Sequence, residues 1–205
     1  MKVDASKASR LVRLGASAGL VLGGACLGLG VSEGAIALWG LGGAWLLHLP
    51  PALSLLGRIR DGLGNSGLER ERLTLRAVGH LMRFLALGMA MASTSALLGE
   101  RSPQASPMTL GLGLLAAALL AALWSAQRSL TGIHPALDLE AARTRVLLEL
   151  AALFLAGSLL GRWFSWADAI TGLALALRLF LEGRSLARAS TLPAAACGGC
   201  GGGCH

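Results

Sequence analysis

The sequence predicts an all-α, polytopic membrane protein that folds as a bundle of six transmembrane helices. Of the 205 residues, 54 % are hydrophobic and only 14 % are charged, whereas a soluble domain carries about 25 % charged residues. The apolar residues form blocks close in length to the ~20 residues that a helix needs to cross a bilayer, and most charged residues lie between the blocks. We therefore expect neither a soluble enzyme nor a secreted domain held by disulfides.

The apolar blocks define six predicted spans. They cover residues 14–31, 35–56, 77–98, 108–126, 146–161 and 166–182. Because backbone polar groups in lipid must be satisfied within a span, each block is expected to be α-helical. The chain then divides into a basic N-terminus (1–13), a transmembrane domain (14–188) and a tail rich in Gly and Cys (189–205).

Lysine and arginine predict the orientation of the bundle. Fifteen of the 18 basic residues lie before span 1, between spans 2 and 3, between spans 4 and 5, or towards the end of span 6 and just beyond it. Only Arg101 and Arg162 lie on the other side. Trp163 and Trp166 are predicted at a membrane interface. By the positive-inside rule, both termini are cytoplasmic and the protein lies in the cytoplasmic membrane. This reading also explains the net charge of +7, so no nucleic-acid partner is expected.

Glycines predict close packing of span 1. Gly15, Gly19 and Gly23 recur every four residues, and Gly24 and Gly28 follow the same spacing one position later. Small residues at this spacing allow two helix backbones to approach closely. The alternative is that glycine is simply common in this chain, which has 29.

Ionisable residues inside the spans are candidates for function, because they are costly in lipid. His48 in span 2 and Glu149 in span 5 have apolar residues on both sides. Arg145 lies one helical turn before Glu149, so a structural ion pair is the alternative to a transport role for that carboxylate. Asp168 is expected to cap the N-terminus of span 6, and Arg178 to extend its charge to the membrane surface.

A resemblance to a known family rests on the six-span layout, with its basic loop before span 3, and on several short stretches, among them residues 126–128 and 184–188 at the ends of spans 4 and 6. Residues 161–172, in which Trp166-Ala167-Asp168 opens span 6, resemble the hairpin between spans 5 and 6 of the cation diffusion facilitator family. Residues 32–38 occupy the place of that family's entry to span 2. The resemblance extends over residues 5–190 and implies a transporter of a divalent cation, usually zinc, that works as a homodimer or heterodimer.

The resemblance also implies where the cation is held. The family carries its ligands as His/Asp-x-x-x-Asp pairs on spans 2 and 5, since residues four apart share one helix face. In this chain the span 2 pair falls on Gly43 and Leu47, or, shifted by one residue, on Ala44 and His48. The span 5 pair falls on Ala142 and Val146 or on Arg145 and Glu149, depending on the end from which residues are counted. Only His48 and Glu149 are of ligand type. A relative inactive in transport, serving as a membrane partner or a metal-sensing subunit, is therefore the alternative.

Two further sets of residues have metal-ligand chemistry. His134 and Asp138 have the i, i+4 spacing, but Pro135 and their position before span 5 argue against a site there. The tail carries Cys197, Cys200, Cys204 and His205, a Cys₃His set suited to zinc. A disulfide is not expected on the reducing cytoplasmic side. The alternative for the tail is a glycine-rich terminus without a ligand.

Overall fold

The computed structural model describes residues 5–61, 67–99, 106–132 and 134–190, and these residues form helices with no strand among them. The all-α prediction is confirmed. In chain order the helices are α1 (Ala5–Glu33), α2 (Ile36–Leu47), α3 (Leu49–Arg60), α4 (Leu68–Leu98), α5 (Pro107–Arg128), α6 (Pro135–Leu160) and α7 (Ala167–Ala189).

Within the described residues, four helical stretches are long and apolar enough to cross a membrane. They are Ser6–Glu33, Ile36–Arg60, Leu68–Leu98 and Pro107–Arg128. The last two helices, α6 and α7, have 26 and 23 residues and carry charged side chains in their interior. The chain is thus a helical protein with membrane-spanning segments, and the count of six spans depends on how α6 and α7 accommodate their charges.

The second predicted span consists of two helices, α2 and α3, that meet at His48. Pro50 and Pro51 follow directly and have no amide hydrogen, so two backbone hydrogen bonds of a continuous helix cannot form. Both prolines lie in the first turn of α3, where a missing donor is tolerated. His48 itself keeps helical torsion angles, φ −80° and ψ −12°, so α3 follows α2 without a loop.

α1 and α2 pack with their backbones in contact. A Cβ atom on Gly42 would lie 2.6 Å from the carbonyl oxygen of Gly23, and one on Gly30 would lie 2.8 Å from Cα of Trp39. Because later residues of α2 meet earlier residues of α1, the two helices run antiparallel. Glycine is required at these positions because any side chain would force the two backbones apart.

The predicted glycine packing of span 1 is confirmed in part. A Cβ atom on Gly19 would lie 2.9 Å from the indole ring of Trp45, and Gly23 also faces α2. By contrast, Gly24 and Gly28 are exposed and meet no described atom within 4 Å. The glycines that share the α2-facing side of α1 are used for packing, and the offset pair lies on the opposite side.

α4 and α7 form a second antiparallel pair. A Cβ atom on Gly79 would lie 2.7 Å from the carbonyl oxygen of Gly183, and one on Gly183 would lie 2.6 Å from that of Gly79. Further along, Gly172 of α7 lies against the Ser93 side chain of α4. The two helices therefore stay in register over most of their length.

Apolar side chains fill the centre of the bundle and also cover much of its outside. The main buried cluster includes Leu38, Leu41, Leu150, Phe154 and Leu179. Large apolar side chains that are at least half exposed lie on several helices, and they include Leu20, Val21, Leu81, Phe84, Met91 and Leu114. An apolar exterior of this kind is compatible with contact to a lipid bilayer.

Two helices begin earlier than the predicted spans. α1 begins at Ala5, within the segment predicted as a basic N-terminus, and α6 begins at Pro135, well before residue 146. With 29 residues, α1 is about 43 Å long at 1.5 Å per residue, more than the ~30 Å of a hydrocarbon core. The helices thus continue beyond the apolar blocks from which the spans were predicted.

Candidate functional site

The His48 side chain is buried at the junction of α2 and α3. It is 7 % exposed, and neither ring nitrogen has a hydrogen-bond partner among the described residues. The residue borders a cavity of about 30 Å³, which is large enough for water-sized occupants. α2 and α3 have 12 residues each, so His48 lies about halfway along this pair of helices.

The polar wall of this cavity comes from α6. Glu140, Arg143 and Thr144 line it together with His48. The Arg143 Nη2 group donates to Glu140 Oε2, whereas Arg143 Nε and Nη1 are buried without a described partner. The Thr144 hydroxyl donates to the Glu140 carbonyl oxygen at 3.1 Å. An imidazole, a carboxylate and a guanidinium therefore share one small cavity.

The remaining wall is apolar. The other lining residues are Gly15, Ala16, Trp45, Leu49, Ala52, Leu120, Leu123 and Leu147. Buried polar groups without partners are costly, so the cavity favours an occupant that can hydrogen-bond or ligate on one side only. A small polar molecule or an ion meets this requirement, whereas an apolar molecule does not.

Glu149 lies in a separate ion-pair cluster. Arg145 Nε donates to Glu149 Oε1 at 3.0 Å, so the structural ion pair considered from the sequence is present. Arg178 of α7 donates to the other carboxylate oxygen, from Nη2 at 2.9 Å and from Nε at 3.1 Å, and it also reaches Glu182 at 3.5 Å. Glu149 is not among the residues that line the His48 cavity. α6 faces His48 through Glu140 and Arg143.

Asp168 lies beside the start of a different helix from the one it was expected to cap. Its carboxylate is near the backbone N–H groups of Ile36 and Ala37, in the first turn of α2, but its Oδ2 atom is buried without a hydrogen-bond partner among the described residues. Ala35, the N-cap residue of α2, provides no side-chain hydrogen bond, so the Asp168 carboxylate is the negative charge nearest to the positive end of that helix dipole. Trp166 precedes α7 without a capping hydrogen bond of its own. The contact joins α2 and α7.

A polar cluster joins α1 to α5 at the same end of the bundle. The Ser106 hydroxyl donates to Glu33 Oε1 at 2.8 Å, and the Thr109 hydroxyl donates to Glu33 Oε2. Ser106 Oγ also accepts from the Thr109 amide at 3.2 Å and thereby caps α5. The carboxylate that ends α1 thus holds the start of α5.

His134 and Asp138 organise the start of α6. His134 Nδ1 accepts a hydrogen bond from the Ala136 amide at 3.1 Å, and Asp138 Oδ1 accepts one from the Gly132 amide at 2.7 Å. Burial, followed by the positive charge of Arg58, lowers the pKa of His134 below its ordinary value. In the part of the chain that the structure describes, no three His, Cys, Asp or Glu side chains are grouped to hold a metal ion.

The predicted site residues therefore have three different outcomes. His48 lies in a polar cavity, Arg145 and Glu149 are joined in an ion pair, and the set Cys197, Cys200, Cys204 and His205 lies outside the described residues. Sequence reasoning missed Glu140 and Arg143, because residues before 146 were assigned to a loop. His134 as a cap with Pro135 at the first helical position was a signal for an earlier helix start.

Comparison with known proteins adds no assignment. No protein-family model matches the chain, and no curated protein matches it.

Proposed function

We propose that the protein is a six-span membrane transporter of the cation diffusion facilitator type, which moves a divalent cation such as zinc across the cytoplasmic membrane. In this arrangement the six spans are α1, the α2–α3 pair, α4, α5, α6 and α7. Both termini are cytoplasmic. The pairing of Glu149 with Arg178 supports the inclusion of α6 and α7, because paired charges are less costly in a membrane than isolated ones.

The observation that carries this proposal is the position of His48. Its two ring nitrogens are buried without a described partner, at a break midway along a helix that is apolar enough to span a membrane. Transporters place substrate sites near the membrane midplane at interrupted helices. A neutral imidazole nitrogen is also a good ligand for zinc.

Glu140 is the second proposed ligand and takes the place that the sequence suggested for Glu149. Its carboxylate lines the same cavity as His48 and is held by Arg143. A cation that binds His48 and Glu140 has to separate Glu140 from Arg143. In the absence of the cation, Arg143 balances the carboxylate charge, so the cavity carries no isolated negative charge in either state.

The alternative function, a transport-inactive membrane partner or metal-sensing subunit, is favoured by the same arginine. The Arg143 guanidinium is 4 % exposed and lies in the cavity that the cation would enter, where like charges repel strongly. On this alternative the bundle pairs with a second transporter chain, and metal binding is confined to the tail, through Cys197, Cys200, Cys204 and His205.

Zinc flux into proteoliposomes that hold the purified full chain distinguishes the two functions. The transporter predicts flux above that of empty liposomes, with loss of flux in His48→Ala and in Glu140→Gln. His80→Ala and Glu69→Gln are matched controls, because both residues are exposed and neither lines the cavity. Absence of flux from a folded wild-type protein supports the partner subunit, and flux that survives in His48→Ala excludes the proposed site.

A further inference from the structure

An open groove runs between α1 and α5. Its volume is about 540 Å³, within the range of about 300–1,000 Å³ that is typical of ligand pockets. α1 lines it from Leu11 to Leu22, and α5 lines it from Leu119 to Ala126. Leu14, in the wall, is 59 % exposed, so the groove opens to the outside of the bundle.

The wall of this groove is apolar. Among the described residues that line it, Ser17 is the only one with a polar side chain, and its hydroxyl donates to the Leu14 carbonyl oxygen at 3.1 Å. The groove therefore has little to offer to a ligand that needs hydrogen bonds. An acyl chain needs none, because its favourable contacts are the dispersion contacts that a groove between two helices supplies.

The length of the groove matches one leaflet of a bilayer. From Leu11 to Leu22, α1 rises about 16 Å at 1.5 Å per residue. A hydrocarbon core is about 30 Å thick, so one leaflet contributes about 15 Å. The groove is therefore long enough for one acyl chain that lies along α1.

One end of the groove is basic. Lys7, Arg10 and Arg13 are exposed on α1. Four positions after each of them is a residue of the groove wall, namely Leu11, Leu14 and Ser17. Residues four apart share one face of a helix. The three cationic side chains therefore lie on the face of α1 that forms the groove, towards the end that is cytoplasmic in the proposed orientation.

Within the part of the chain that the structure describes, no carboxylate forms an ion pair with Lys7, Arg10 or Arg13. Lys7 Nζ donates to the Ser129 hydroxyl at 3.3 Å, a neutral partner that leaves the ammonium charge in place. This contact also places Lys7 between α1 and the end of α5. The ion pairs found among the described residues are made by other arginines, which are Arg58, Arg72, Arg143, Arg145 and Arg178.

A second copy of the chain does not suit this face. Two copies in one membrane have the same orientation, and a symmetric dimer interface uses the same patch on both. Contact through this groove would bring two sets of three cationic side chains together at one level, where like charges repel. A negatively charged lipid instead compensates the charge and fills the groove.

We propose that this groove binds an anionic phospholipid of the cytoplasmic leaflet. One acyl chain lies between α1 and α5, and Arg10 and Arg13 donate hydrogen bonds to the phosphate oxygens, for which guanidinium is well matched. Lys7 adds a third positive charge near the headgroup. The inference rests on the proposed orientation of α1, with its start in the cytoplasm, and is independent of whether the protein transports zinc.

Lipid binding by the full chain in nanodiscs tests this inference. The protein is placed in phosphatidylcholine with increasing phosphatidylglycerol, and retained lipid is counted by native mass spectrometry while the melting temperature is recorded. Phosphatidylglycerol is expected to be retained in preference to phosphatidylcholine and to raise the melting temperature. The double variant Arg10→Gln/Arg13→Gln should bind it roughly thirtyfold more weakly, from the usual contribution of basic residues near an anionic surface.

Matched variants separate the groove from general attraction to anionic lipid. Arg60→Gln/Arg70→Gln removes two other exposed arginines and should retain the lipid. Arg10→Lys/Arg13→Lys keeps the charge and should bind at an intermediate level, which also controls for folding. Ala122→Phe fills the groove without a change of charge and should release the lipid. Ala121→Phe, at the neighbouring exposed position outside the groove lining, should retain it.

The proposal is overturned if the wild type shows no preference for phosphatidylglycerol, if both glutamine doubles lose the lipid equally, or if the two phenylalanine variants retain it equally. An equal effect of inorganic phosphate in place of phosphatidylglycerol also overturns it. A dimer in pure phosphatidylcholine that Ala122→Phe dissociates would assign the groove to a second copy instead. The assay contains no zinc, so a negative result here is distinct from a negative flux result.

Discussion

Arg178 on α7 donates two hydrogen bonds to one carboxylate oxygen of Glu149 on α6, at 2.9 and 3.1 Å. The two residues lie 29 positions apart in the chain. Each also has a partner on its own helix, because Glu149 accepts from Arg145 and Arg178 reaches Glu182. Their pairing joins the last two helices of the bundle and accounts for charged residues in both.

Removing either partner of this pair should destabilise the bundle. We expect Glu149→Gln or Arg178→Gln to lower the free energy of unfolding by about 1–2 kcal/mol, a value between those of exposed and buried pairs because both side chains are partly exposed. Thermal unfolding in detergent measures the effect. The double variant Glu149→Gln/Arg178→Gln should be more stable than either single variant, and strictly additive losses would contradict a direct interaction.

The α1–α2 contact predicts a strong effect of one added methyl group. Gly42→Ala places a Cβ atom against the backbone of α1, 2.6 Å from the carbonyl oxygen of Gly23, and should destabilise the protein by about 1–3 kcal/mol. Gly24→Ala is the matched control, because no described atom lies within 4 Å of its Cβ position. Equal melting temperatures for the two variants would show that the helices do not pack as described.

Asp168 should contribute to stability through its charge at the start of α2. Asp168→Ala removes the carboxylate near the amides of Ile36 and Ala37 and should cost about 1 kcal/mol, as for other negative charges at a helix N-terminus. Asp168→Asn keeps one acceptor oxygen and should cost less. Hydrogen exchange at the first turn of α2 reports the effect directly. Faster exchange confined to α7 would instead indicate that Asp168 caps its own helix.

His134 should make stability depend on pH. Its pKa is lower in the folded protein than the ordinary value of 6.5, so the unfolded chain binds more protons as the pH falls through that value. Stability is therefore fully present above about pH 7 and falls with further acidification. His134→Asn keeps a capping side chain but cannot titrate. Its melting temperature should fall less than that of the wild type between pH 8 and pH 5.5, with His80→Asn as the control.

The cysteines of the tail predict metal binding by the full chain. Cobalt added to the reduced protein should give the absorption of a tetrahedral thiolate complex, because Cys and His side chains bind such ions when deprotonated. The variant Cys197→Ser/Cys200→Ser should lose this absorption. Cys26→Ser should keep it, since Cys26 is buried within α1. An unchanged spectrum in the tail variant would rule out the tail as the site.

Local patterns in the sequence predicted local structure well. All six apolar blocks are helical, and Arg145 and Glu149 pair as their i, i+4 spacing indicates. Contacts between helices were beyond such reasoning, because spacing along the chain does not specify which faces meet. The pairing of Arg178 with Glu149 is an example, as is the cavity that brings Glu140 of α6 beside His48.

The boundaries failed for a related reason. A hydropathy pattern locates the apolar part of a helix, which lipid would cover. It does not detect helical turns that contain charged residues and lie before the apolar part, such as residues 135–145 of α6. As a result Glu140 and Arg143 were assigned to a loop, and the polar side of the His48 cavity was missed. Pro50 and Pro51 gave a local signal for the break at His48 that hydropathy also ignores.

The reciprocal contact of Gly79 and Gly183 limits how the bundle can move. A slide of α7 by one helical turn would put Leu179 or Ala187 in the place of Gly183, where the backbone of Gly79 leaves no space for a side chain. We therefore expect α4 and α7 to keep their register and to move together. In the proposed transporter, a motion that opens the His48 cavity first to one side and then to the other would occur around this pair, and we expect the junction of α2 and α3, where Pro50 and Pro51 follow His48, to act as its hinge.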